Sequence, residues 1–248
     1  MTKVYGLIGK KLGHSFSKRY FTEKFAREKI ANCIYQLFEI DAIDQLPELI
    51  KTERHLIGLN VTIPYKQEII PVLSSIDKTA ERIGAVNVVR ITDDGLVGFN
   101  SDYYGFKNSL NNWIGHPPGI KALVLGTGGS SRAVHVALDD LGIKYHGVSR
   151  SKGPSNITYD DLSKEVLSSC HLIINTTPLG MFPETKAYPD IPYDYLSSDH
   201  CLFDLVYNPL DTEFMKRGQV KGARVKNGIE MLELQAEKSW EIWNSEKV

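Results

Sequence analysis

The stretch KALVLGTGGSSRAVHVAL at residues 121–138 limits the possible folds of this chain more than any other. Lys121 to Leu125 is a short apolar run that predicts a buried strand. Gly126, Gly128 and Gly129 follow as a tight loop, and an amphipathic helix opens at Ser130. Amides left free at a helix start attract phosphate, and glycine lacks the Cβ that would keep the backbone away from a pyrophosphate. The pattern is GxGG rather than the full GxGxxG, and alone it also fits a plain strand-to-helix turn. Its surroundings favour phosphate: a strand precedes it, a helix follows, and a second strand, Tyr145 to Ser149, comes at the distance a βαβ unit needs.

At the tip of that second strand an NAD enzyme places Asp or Glu against the ribose hydroxyls. This chain has Ser149, Arg150 and Ser151 there, followed by Lys152. A cation with two hydroxyls suits a 2′-phosphate, which an acid would repel, so the strand tip predicts NADP rather than NAD. The plainer alternative is a solvated loop arginine.

Short apolar or β-branched runs alternate with helical patterns from end to end, which argues an α/β architecture with parallel strands. Strands are expected at Val4–Ile8, Cys33–Phe38, Leu56–Val61, Val86–Ile91, Lys121–Leu125, Tyr145–Ser149, Leu172–Ile174 and Cys201–Leu205. Helices are expected at Phe16–Glu28, Ile43–Lys51, Asp102–Asn112, Ser130–Asp140, Thr212–Arg217 and Ile229–Asn244. The cluster GHPPG at 115–119 marks a nearby boundary, because its prolines stop a helix and its glycines permit a turn. With the preceding helix as connector, a first domain is expected at 1–101 and a second after it. The length of 248 residues admits one large domain or two small ones.

Composition excludes several function classes. Basic and acidic residues number 29 and 30, so no field exists to hold a polyanion, and no basic stripe is interleaved with aromatics. Nucleic acid is therefore not an expected partner. Cys33, Cys170 and Cys201 form neither a disulfide framework nor a CxxC motif, and the seven histidines never take an HExxH-like spacing, so no metal is expected. No run reaches the roughly 18 apolar residues of a membrane span. The start MTKVYGLIGKK also lacks the longer apolar core of a secretory signal. A cytoplasmic protein is the expectation.

The first half carries an unusual set of polar residues. LGHSFSKRYF places Ser15 and Ser17 two apart after a glycine turn, where helix capping is the simplest role for a serine. In GLNVTIPYK, Asn60 and Thr62 alternate on one face of a strand end, Pro64 stops the ladder and Lys66 follows. GAVNVV opens another strand with Asn87, and GFNSDYYGF brings Asn100, Ser101 and Asp102 to a helix start, where a cap is again the plain reading. Polar groups at carboxyl ends of strands face the crevice where α/β sheets bind ligands. Together these hydroxyls and amides, with one amine and one carboxylate, suit a small polyhydroxylated substrate. Lys66 and Asp102 are the charged members, and an ammonium held by a carboxylate can exchange a proton with a substrate hydroxyl while a nicotinamide moves a hydride.

At this point the chain resembles the shikimate dehydrogenase family, with motifs in order over nearly its whole length. They are GxxxxHSxS at Gly9 to Ser17, NVTxPxK at Asn60 to Lys66, GAVN at Gly84 to Asn87 and GxNSD at Gly98 to Asp102. They continue as GxGGxxR at Gly126 to Arg132, NTTPLGM at Asn175 to Met181, DLVYNPLDT at Asp204 to Thr212 and NGxxMLxxQA at Asn227 to Ala236. The resemblance implies NADPH-dependent, reversible reduction of 3-dehydroshikimate to shikimate, a step toward chorismate and the aromatic amino acids. A quinate/shikimate dehydrogenase that accepts NAD is the nearest alternative, and a non-catalytic nucleotide- or polyol-binding module a more distant one.

The resemblance assigns Lys66 and Asp102 as the catalytic pair. Ser15, Ser17, Asn60, Thr62, Asn87, Tyr207 and Gln235 are assigned to the substrate. Gly126, Thr127, Gly128, Gly129, Ser130, Ser149, Arg150, Ser151, Thr176, Leu205 and Gly228 are assigned to the cofactor. The spacing of Gly228, Met231 and Gln235 independently puts them on one helix face. The implied fold is an N-terminal α/β substrate domain plus a Rossmann-like NADP-binding domain at 102–227, with a ligand cleft between them. The final helix, 228–248, returns to complete the first domain. Lys18, Phe21 and Val88 stand where the family usually has Pro, His and Thr, and Ser149 and Ser151 stand where it has Asn and Thr.

Overall fold

A computed structural model describes residues 1–13, 15–115, 118–153 and 156–245. His14 of the first motif, His116 and Pro117 of the breaker cluster, and Pro154 and Ser155 after Arg150 lie outside the described residues. The chain divides into two compact units, Met1–Tyr104 with Gln235–Val248, and Gly105–Leu234.

The first unit begins with β1 (Lys3–Gly9), α1 (Phe16–Arg27), β2 (Cys33–Glu39), α2 (Leu46–Thr52), β3 (Leu56–Val61) and α3 (Tyr65–Glu68). It continues with β4 (Ser75–Ile76), α4 (Lys78–Ile83), β5 (Val88–Thr92) and β6 (Gly95–Phe99). The six strands form one sheet in the order β2-β1-β3-β5-β6-β4. β1 runs parallel to β2 and β3, but β5 is antiparallel to both β3 and β6. The expectation of parallel strands throughout is thus corrected. Asp93 and Asp94 alone link β5 to β6, with Thr92 paired to Gly95, and so short a connection permits only a hairpin.

Alternation along β1 sends Val4 and Ile8 to one core, with Leu59, Val61 and Val89. Tyr5 and Leu7 point to the other, with Phe21, Phe25, Tyr35 and Trp243. Gly58 makes room for the second of these cores, since a Cβ there would lie 2.2 Å from the Trp243 ring. The Trp243 indole N–H donates to the Val89 carbonyl at 3.1 Å, which fastens the end of the chain to this sheet. Buried Lys24 on α1 adds an ion pair to Glu237 at 2.7 Å.

The second unit takes up α5 (Ser101–Ile114) from Gly105 onward, then β7 (Lys121–Leu125), α6 (Gly129–Asp140), β8 (Lys144–Ser149) and β9 (Asn156–Thr158). α7 (Lys164–Ser169), β10 (Leu172–Asn175), β11 (Cys201–Asp204), α8 (Glu213–Val220), β12 (Arg224–Lys226) and the start of α9 (Ile229–Asn244) complete it. Its sheet runs β12-β11-β10-β7-β8-β9 with every neighbouring pair parallel. Counted from β7, that is the 3-2-1-4-5-6 order of a doubly wound dinucleotide-binding sheet, whose chain reversal falls between β7 and β10. β10 and β11 are buried at every position, as expected of strands covered on both faces. Among the described residues no helix is long and apolar enough to cross a membrane.

Candidate active site

In the first unit, Lys66 Nζ lies 2.6 Å from Asp102 Oδ2, and the side chains are 16% and 6% exposed. Short α3 carries Lys66, and its neighbour Tyr65 fixes that helix from within the core. The Tyr65 hydroxyl donates to the Ile40 carbonyl at 2.6 Å, and the Lys66 carbonyl accepts the Val86 N–H at 2.7 Å. Asp102 stands in the first turn of α5, where the helix dipole favours a carboxylate. The cap of that helix is Asn100, whose Oδ1 accepts the Tyr103 N–H at 3.1 Å. Asp102 is thereby left to face the lysine.

Asn87, in the bend just before β5, organises this pair. Its Nδ2 donates to Asp102 Oδ1 at 2.9 Å and Ser101 Oγ at 3.1 Å, with Gln235 Oε1 at 3.4 Å, and its Oδ1 accepts the Ser101 N–H at 2.7 Å. One carboxylate oxygen of Asp102 is held by an amide and the other by an ammonium. Asn60, near the end of β3, accepts the Tyr35 hydroxyl at 2.8 Å and donates to Ser239 Oγ at 2.9 Å. Burial pushes the Tyr35 phenol well above its ordinary value, and a hydrogen bond with Ser17 works against that rise. Ser15 caps α1, its Oγ accepting the Lys18 N–H at 3.3 Å, and Ser17 follows in the first turn. Thr62, half-buried just beyond β3, donates its backbone N–H to the Ile8 carbonyl at 3.0 Å. Lys66, Asp102, Asn60, Asn87 and Gln235 thus share one hydrogen-bonded cluster, to which Ser17 connects through Tyr35. Tyr207 belongs to the second unit, in the segment after β11, where burial raises its phenol.

In the second unit the candidate cofactor residues gather at the carboxyl ends of successive strands. Gly126 to Ser130 follow β7, Ser149 to Ser151 close β8, Thr176 follows β10, Leu205 follows β11 and Gly228 follows β12. Gly126 has φ +107°, and a Cβ on it would sit 2.8 Å from Thr176 Oγ1. Thr176 in turn donates its hydroxyl to the Leu125 carbonyl at 2.6 Å. A Cβ on Gly228 would come within 2.2 Å of the Leu205 carbonyl oxygen.

This arrangement fits a dinucleotide phosphate. α6 is preceded by Gly128, which gives it no side-chain cap, and has no acid in its first turn, so its leading amides are open to an anion at the sheet's chain reversal. At the tip of β8 the Ser149 hydroxyl donates to the Ser151 carbonyl, and Arg150 and Lys152 are both exposed there.

Buried Asp204 at the end of β11 braces the loops that carry Thr176, Leu205 and Tyr207. It accepts from Thr212 Oγ1 at 2.6 Å, Asn175 Nδ2 at 2.9 Å and the Val206 N–H at 3.0 Å. Burial nevertheless raises its carboxyl to about 6. The NTTPLGM and DLVYNPLDT motifs are therefore joined through Asn175, Asp204 and Thr212.

Tyr35 and Ser239 are the members of the first cluster that sequence reasoning missed. Ser239 had a readable signal, since it stands one helical turn beyond Gln235 on the same face. Tyr35 had none, because an inward aromatic on an alternating strand reads as core.

Comparison with known proteins agrees with both units. Residues 7–89 match the shikimate dehydrogenase substrate binding domain. The shikimate dehydrogenase (NADP(+)) of Clostridium beijerinckii is 42% identical over 97% of this chain and 92% of its own. A chorismate mutase/shikimate 5-dehydrogenase fusion protein from Clostridium acetobutylicum superposes with a TM-score of 0.88 at 36% identity, covering 98% of this chain and 92% of that one. The Thermus thermophilus shikimate 5-dehydrogenase, solved with NADP(H) and shikimate, gives a TM-score of 0.86 at 28% identity over 98% of this chain and 94% of its own. With a lysine–aspartate pair in one unit, a doubly wound sheet in the other and relatives matching along nearly their full length, this chain belongs to the shikimate dehydrogenase family.

Proposed function

We propose that this chain is an enzyme that interconverts shikimate and 3-dehydroshikimate with NADP, a step of the shikimate pathway toward chorismate and the aromatic amino acids. The observation that carries the reading is the 2.6 Å pair of Lys66 and Asp102 inside a cluster of amides and hydroxyls. Bound NADP supplies a hydride acceptor or donor for the reacting carbon. Lys66 Nζ, as the neutral amine, takes the proton of the reacting hydroxyl during oxidation and becomes the ammonium, which gives that proton to the carbonyl oxygen during reduction. Asp102 aims that nitrogen through Oδ2, while Asn87 holds Oδ1 and so keeps the carboxylate from turning away.

Ser15, Ser17, Asn60, Thr62, Asn87, Tyr207 and Gln235 are the proposed substrate contacts. Gly126 to Ser130, Ser149 to Ser151, Thr176, Leu205 and Gly228 are the proposed cofactor contacts. Exposed Arg150, with no acid at the tip of β8, supports NADP over NAD. A cytoplasmic location goes with this biosynthetic role.

The test is the initial rate of nucleotide reduction with shikimate or quinate, each with NADP or NAD. Turnover of shikimate with NADP above all other combinations is the expected result. Equal turnover of quinate with NAD would replace the proposal with a quinate/shikimate dehydrogenase, and no turnover of either substrate would replace it with a binding protein.

A further inference from the structure

Asn60 is held from two sides, and the backbone decides which way its carboxamide points. A carboxamide offers two N–H donors and two lone pairs on its oxygen. Here Nδ2 donates to Ser239 Oγ at 2.9 Å and faces the Asn87 carbonyl at 3.4 Å, while Oδ1 accepts the Tyr35 hydroxyl at 2.8 Å. Turning the amide over would set Oδ1 against the Asn87 carbonyl, which only accepts.

Ser239 blocks the same turn. Its single hydroxyl hydrogen goes to the Gln235 carbonyl at 2.8 Å, so toward Asn60 its oxygen can only accept. Fully buried Ser101, 3.3 Å away, connects Ser239 to Asn87 and so to the Lys66–Asp102 pair. On the opposite side Phe21 stacks on the Tyr35 ring at 4.7 Å with 12° between the planes, which keeps the phenol aimed at Asn60.

We infer that Tyr35 and Ser239 are positioning residues of the substrate site, which fix Asn60 so that it meets the substrate as a hydrogen-bond acceptor only. One lone pair on Oδ1 remains, so the group opposite it must be a hydroxyl donating its hydrogen. A ketone, carboxylate or methoxy oxygen in that place would meet another acceptor. The inference rests on the proposed contact between Asn60 and shikimate.

Ser239→Ala and Tyr35→Phe each remove one oxygen without adding bulk, and each is to be assayed alone and combined with Asn60→Ala. Either single change is expected to raise the KM for shikimate about tenfold, the scale of one buried hydrogen bond, with the KM for NADP unchanged. In the Asn60→Ala background the same changes are expected to have only a small further effect, since just the link of Tyr35 to Ser17 and that of Ser239 to Ser101 are left to lose. In the parent protein, methyl ethers at the two non-reacting hydroxyls of shikimate are expected to raise KM unequally, and Asn60→Ala is expected to abolish that difference.

Persistence of the tenfold effect without Asn60, or a parallel loss in both KM values and in thermal stability, would overturn the inference in favour of a scaffold role. So would unchanged KM values in both single variants. If Asn60→Ala alone leaves the KM for shikimate unchanged, the contact itself is wrong and the inference falls with it. A parent enzyme that does not oxidise shikimate is the separate failure of the proposed function.

Discussion

Asp204 offers a quantitative test of how the loops of the second unit are held. Its carboxyl is fully buried, and burial outweighs three hydrogen bonds to raise its pKa from 3.8 to about 6. Between those values the folded chain retains a proton that the unfolded chain has released. Stability from this group is therefore complete below 3.8 and is lost as pH rises through about 6. At about 1.4 kcal/mol per pKa unit, the rise amounts to roughly 3 kcal/mol.

Asp204→Asn keeps the shape and removes the titration. Urea unfolding of parent and variant across this pH window isolates the contribution, because every other titrating group is common to both. The variant is expected to be the less stable at the acidic end, since its amide N–H replaces the Oδ2 that accepts the Thr212 hydroxyl. Its deficit should then shrink by roughly 3 kcal/mol as pH rises through the window. A deficit that grows with pH would mean that the three hydrogen bonds govern the carboxyl and burial does not. A flat difference would refute the shift altogether.

Two further substitutions probe the cofactor strand tip and the attachment of the final helix. Arg150→Asp should weaken NADPH binding by about 10- to 100-fold, the scale of one lost charge-assisted contact, and NADH binding much less. Fluorescence titration with both nucleotides measures this, and equal losses would remove Arg150 from the 2′-phosphate. Gly58→Ala should lower stability by about 1–3 kcal/mol, because its Cβ would lie 2.2 Å from the Trp243 ring and the indole must leave its bond to Val89. A thermal melt unchanged from the parent would show that this packing is looser than described.

Much of the second unit was legible because its signals are local. An apolar run, a glycine turn and an amphipathic helix follow one another in sequence, so periodicity alone located β7 and α6 to within a residue. β9, α7 and β12 escaped because elements of 3, 6 and 3 residues carry too little periodicity. In the first unit the Asp93–Asp94 hairpin was overlooked, and with it the antiparallel half of the sheet. Polar residues at helix starts were ambiguous for a physical reason: Ser, Asn and Asp all cap helices well. The structure separates them, since Ser15 and Asn100 do cap while Asp102, two residues beyond Asn100, pairs with Lys66. Tyr35 was hidden because its partner Asn60 is 25 residues away in sequence, whereas Ser239 was legible one helical turn beyond Gln235 although Asn60 lies 179 residues away.

The central claim is that Lys66 moves the proton, and it is tested most directly by Lys66→Ala. The measurement is kcat for NADP-dependent shikimate oxidation together with the dissociation constant for shikimate. The account predicts a fall in kcat of about 10² or more with shikimate affinity within an order of magnitude of the parent. An unchanged kcat with weakened binding would contradict it and reduce Lys66 to a residue that only holds the substrate.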